Sequence, residues 1–184
     1  FSSIENLTGG TGADTFSLSA GVSGVIDGGA GTDALNVAAS FTTPAATMTV
    51  NNVETLTNTA GAVLTAGTLL VTNANSINLT GTAVSALGVT GSGTTVNLST
   101  STDLDLLNIN VGSGSVTLDS GGAITDNTAQ TLTASSVSLT AGTSIGSATD
   151  RVLTAASSLQ ASAGGNIDIN NTGAATLTGV TSTS

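Results

Sequence analysis

Ile77-Asn78-Leu79, Val96-Asn97-Leu98, Val116-Thr117-Leu118, Val137-Ser138-Leu139 and Leu159-Gln160-Ala161 are one apolar–polar–apolar phrase, repeated along the chain at steps of 19, 20, 21 and 22. Alternation places the two apolar side chains of each phrase on the same face of a strand. A second series, Leu87/Val89, Ile109/Val111, Leu132/Ala134 and Leu153/Ala155, advances by 22, 23 and 21. A third links Ile124, Ile145 and Ile167 at steps of 21 and 22. Interleaved series that share one period are written by a coil of a few short strands, each coil stacked on the last so that like residues form ladders. The expected fold is therefore all-β: a right-handed parallel β-solenoid (β-helix) of roughly eight or nine coils. A β-sandwich also spaces its strands every ~8–12 residues, but gives no reason for a register sustained over so many repeats.

Composition agrees with strands and turns. Thr (35), Ala (25), Ser (24) and Gly (24) fill 108 of 184 positions, with 15 Asn between them. β-Branched Thr, Val and Ile occupy 58 positions, which suits pleated strands and leaves few runs of good helix formers. The single proline, Pro44, fits a chain whose backbone donors are needed in ladders.

Charge excludes more. Nine Asp and two Glu face one basic residue, Arg151, for a formal net charge of −10, and His, Lys, Cys, Trp and Tyr are absent. The usual general bases, Schiff-base lysines and thiol nucleophiles are thus missing, as are Cys/His zinc sites. Phosphate backbones need a basic patch, so no nucleic-acid partner is expected. Without cysteine, stability must come from packing, hydrogen bonds or bound ions. The most apolar run, Ala60 to Val71, is well short of the ~20 residues that cross a bilayer, so no membrane span is expected. The chain opens at Phe1 with no charged-then-apolar leader and reads as a piece of something longer or a processed product.

The first forty residues carry a different signal. Gly9-Gly10-Thr11-Gly12-Ala13-Asp14-Thr15-Phe16-Ser17 is followed, at a step of 19, by Gly28-Gly29-Ala30-Gly31-Thr32-Asp33-Ala34-Leu35-Asn36. Both fit the nonapeptide G-G-x-G-x-D-x-U-x. Glycines permit tight positive-φ turns that let carbonyls converge, and the aspartate adds a hard oxygen that suits Ca²⁺. Gly9, Gly10, Gly12, Asp14, Gly28, Gly29, Gly31 and Asp33 are the candidate metal site, a structural Ca²⁺ shared between two stacked turns. The alternative is a pair of glycine turns whose aspartates only cap backbone donors. Leu18 to Asp27 lacks the motif, so the opposite edge should hold no ion.

These nonapeptides resemble the Ca²⁺-binding repeats-in-toxin family, as does the phrase Ile4-Glu5-Asn6-Leu7-Thr8 before the first turn; Val53-Glu54-Thr55-Leu56-Thr57 echoes it. From about Gly61 the chain is more similar to the β-helical repeats of filamentous-haemagglutinin-type adhesins. The phrases that carry this are Gly121-Gly122-Ala123-Ile124-Thr125-Asp126, Ala141-Gly142-Thr143-Ser144-Ile145-Gly146 and Ala163-Gly164-Gly165-Asn166-Ile167-Asp168-Ile169. The expected organisation is a β-roll-like Ca²⁺-binding segment over 1–40, a transition coil over 41–60 and parallel β-helix repeats over 61–184. The resemblance implies a bacterial, secreted or cell-surface protein, a non-enzymatic segment of a large adhesin acting as a stiff Ca²⁺-stabilised rod. Its implied partners are further repeats of the parent chain, other copies of itself and a host-cell or matrix surface. The rival is a self-assembling subunit of an extracellular filament or surface layer, since solenoid ends offer unpaired strand edges and Gly179 to Ser184 supplies no cap.

Other candidates are weaker. Asp103 and Asp105 share the outer face of a strand while Leu104 and Leu106 face in; without aromatic platforms they read as solvated face charges rather than a glycosidase pair. Thr-x-Thr pairs at Thr47, Thr55, Thr131 and Thr176 do not recur at the coil period, so no regular ice-binding ladder is expected.

Overall fold

In the computed structural model, residues 4–43 and 46–183 are described; Pro44 lies outside the described residues. Among them no helix occurs, and 17 strands, from Leu7–Thr8 to Thr176–Ser182, form one continuous ladder. Every pairing is parallel, and the chain winds as a β-solenoid of about nine turns.

The first series is a true column. Phe16, Leu35, Leu56, Ile77, Val96, Val116, Val137, Leu159 and Leu177 stand one above another in register. From Leu35 to Leu159 each is at most 5% exposed. The third column is also real: Leu104 pairs with Ile124, and Ile124 with Ile145 and Ile145 with Ile167 by single parallel bridges.

The second series needs correction. Val89 pairs with Ile109, but Leu87 pairs with Leu106, because Leu107 and Asn108 form a bulge opposite the single residue Gly88. Leu132 pairs with Thr154, not Leu153, so Val152, Thr154 and Ala156 face the core while Leu153 and Ala155 are turned outward. A one-residue slip moves a whole strand to its other face. The buried Thr154 hydroxyl that results is answered by Asn171 Oδ1 at 2.9 Å.

Coil length varies while the columns hold. Val71 and Val89 are partners at a step of 18, Ile26 and Val50 at a step of 24. The bulge at Leu107–Asn108 takes up part of this variation, and buried hydroxyls take the place of aliphatics at several strand ends. Thr82 donates to Ser99 O, Thr100 to Val84 O and Ser120 to Thr102 O, each at 2.8–2.9 Å. One corner is so tight that a Cβ on Gly142 would overlap the Gly121 carbonyl oxygen, which accounts for the repeated glycines there.

Each fully buried Leu, Val or Ile contributes roughly 1.5–3 kcal/mol of burial, so the columns dominate stability. Leu118→Ala, at a site of zero exposure, should lower unfolding free energy by about 2–5 kcal/mol. Thr117→Ala, on the outer face of the same strand, should stay within about 0.5 kcal/mol. Urea unfolding checks both.

Candidate cation-binding turns

The two nonapeptide turns stack as their spacing predicts. Thr15 to Leu18 pairs with Ala34 to Val37, so Asp14 lies directly beneath Asp33. Asp33 Oδ1 accepts the Asp14 N–H at 2.8 Å. One coil further on, Glu54 Oε2 accepts the Asp33 N–H at 2.5 Å. Asp14, Asp33 and Glu54 therefore form one acidic column, each carboxylate above bound to the backbone of the acid below.

Identical motifs, however, close differently. In the first turn Asp14 Oδ2 accepts the Gly10 N–H at 2.6 Å, capping its own loop. In the second, the equivalent Gly29 N–H goes to Asp27 Oδ1 at 3.0 Å. Positive φ is likewise confined to the second turn, at Gly29 (89°) and Gly31 (142°); Gly9, Gly10 and Gly12 do without it. In the first turn glycine serves close approach instead, since a Cβ on Gly9 would overlap the Gly28 carbonyl oxygen.

Asp33 is left in an unusual state. It is 1% exposed, and its Oδ2 is the one buried side-chain polar atom without a hydrogen-bond partner among the described residues. A buried carboxylate oxygen without a partner is costly. Like charges that follow one another along a column also repel. No basic side chain is near in the sequence: the sole one, Arg151, belongs to a coil more than a hundred residues on. A hard divalent cation fits this donor set, as oxygen ligands suit Ca²⁺. No three acidic side chains converge among the described residues, so the remaining ligands would have to be backbone carbonyls. The capping alternative accounts fully for Asp14, but not for Asp33 Oδ2.

Asp103 and Asp105 are bonded to the next coil. Asp103 Oδ1 accepts the Ala123 N–H at 2.8 Å, and Asp105 Oδ1 accepts the Asn127 N–H at 2.9 Å and the Thr125 hydroxyl at 3.1 Å. Both face outward as the alternation requires, yet they are coil-to-coil caps rather than merely solvated charges. Sequence reasoning missed Glu54 as a column member; its position one coil step after Asp33 was the available signal. It also missed Asp126, which alternation from Ile124 places inward and which is wholly buried.

Asp126 accepts the Gln130 N–H at 3.0 Å and the Leu153 N–H at 3.2 Å, tying the 126–131 loop to the following coil. Burial pushes its carboxyl above the ordinary value; the two N–H donors oppose this, and the carboxylates of Asp150 and Asp105 reinforce it. Comparison of the chain with family models, with curated proteins and with solved structures finds no match.

A carboxyl raised in the folded state favours folding below its unfolded pKa of ~3.9 and loses that contribution as pH rises through the folded value. Asp126→Asn should flatten this part of the stability–pH profile, read by urea unfolding at stepped pH.

Proposed function

We propose that this chain is a non-enzymatic, rod-forming segment of a large secreted or cell-surface bacterial adhesin, stiffened at its acidic turns by Ca²⁺. The observation that carries the reading is the unbroken register of one apolar column through nine coils. A stack in which strand backbones pair above and below resists bending and leaves few backbone groups accessible. The partnerless Asp33 Oδ2 supports the cation. The non-enzymatic part is supported by the missing His, Lys, Cys and Tyr and by the engagement of Asp103 and Asp105 with backbone donors.

A second reading, a self-assembling filament or surface-layer subunit, is favoured by one observation. Leu177 and Val180, on the last described coil, are 64% and 55% exposed, an apolar surface that a second copy could cover by strand addition.

Sedimentation velocity of the 184-residue chain in millimolar Ca²⁺ and then in chelator separates the two. The rod reading expects an elongated monomer in both, with faster hydrogen exchange over residues 9–33 once Ca²⁺ is removed. Large Ca²⁺-dependent polymers would overturn it in favour of the subunit.

A further inference from the structure

The partnerless oxygen of Asp33 does not point back to the first glycine turn. Its partner Oδ1 is already spent on the Asp14 N–H, whereas Oδ2 lies beside Gly28, whose missing side chain would run into the third coil. A Cβ at Gly28 would overlap the Asn52 carbonyl oxygen and stand 2.6 Å from Asp33 Oδ2, so the two oxygens flank the same point with no side chain between them. The first turn has the same arrangement, with Gly28 O and Asp14 Oδ2 about Gly9, but there the Gly10 N–H caps the carboxylate oxygen; Asp33 Oδ2 has no such donor, and a cation would supply what is missing.

Asn52 is held so that its carbonyl cannot readily turn away. Its φ is 50°, a left-handed conformation that asparagine tolerates. Its N–H is given to Thr72 O at 2.9 Å, and its amide donates to Asp27 Oδ1 at 2.9 Å while accepting from Asn73 at 3.0 Å. Glu54 completes the neighbourhood, its Oε2 on the Asp33 N–H.

We infer that a divalent cation is seated between the second and third coils, held by Asp33 Oδ2, the Asn52 carbonyl and Glu54. This rests on the reading of the acidic turns as Ca²⁺ sites and moves beyond it, because Asn52 and Glu54 lie outside both glycine motifs. The ion neutralises the acidic column at its most buried member. It also ties the nonapeptide coils to the coil that follows, where the motif has lapsed.

Native mass spectrometry of the whole chain in Ca²⁺ counts the ions directly. Glu54→Gln keeps an acceptor for the Asp33 N–H, so the fold should persist, checked by circular dichroism. It should lose one ion per chain, or weaken that ion at least tenfold, whereas Asp14→Asn should retain it. A Glu54→Gln chain that is folded and binds as many ions as the parent, as tightly, overturns the seat and leaves the glycine-turn reading standing. A parent chain that binds no Ca²⁺ overturns both.

Discussion

In a parallel stack each residue's nearest neighbours are the residues at the same position one coil above and one below. That single constraint governs what each column can contain. Aliphatic side chains satisfy it indefinitely, because Leu over Val over Ile packs well in any order. Amides satisfy it too, as the chain Asp27–Asn52–Asn73 shows, each Nδ2 donating to the oxygen below. Carboxylates do not: in the column of Asp14, Asp33 and Glu54 like charges follow one another, no side chain donates to the next, and backbone N–H groups satisfy the acids only in part, leaving Asp33 Oδ2 without a partner. The acidic column is thus the place where the stack is least self-sufficient, and the cation chemistry proposed for this chain follows from it.

The same constraint explains which parts of the structure were legible in the sequence. Where strands run flat, the coil step alone identified the partners, so the column through Ile77, Val96, Val116, Val137 and Leu159 could be read directly. Isoleucines 124, 145 and 167 were legible for the same reason. At bulges the count fails. The extra residue at Leu107–Asn108 shifts the partner of Leu87 from Ile109 to Leu106 while the expected residues stay buried, and the shift that brings Thr154 over Leu132 reverses which face is buried. Small side chains compound this, since Ala and Thr are acceptable on either face.

The candidate site was legible in outline only. Two nonapeptides one coil apart placed Asp14 under Asp33, but nothing in their matching letters distinguishes their two hydrogen-bonding states. That difference comes from Asp27, which takes the Gly29 N–H in the second turn, whereas Thr8 occupies the corresponding place in the first. Glu54 and Asn52 carry no motif; they matter because the third coil sets them over the second. Asp126 shows the converse, an acid that alternation from Ile124 places inward but whose two backbone donors only the folded loop supplies.

Hydrogen bonds between coils run along the axis of the stack, and this has a mechanical consequence. Wherever such a stack ends, its last coil is bonded on one side alone, so tension along the chain would peel coils from that end rather than shear the whole body at once. Each coil of about 20 residues would release roughly 70 Å of extended chain as it detached, while those behind it stayed wound. Such a body yields in steps and dissipates work at each one, and an ion clamped across two coils would set the height of the step at which it sits.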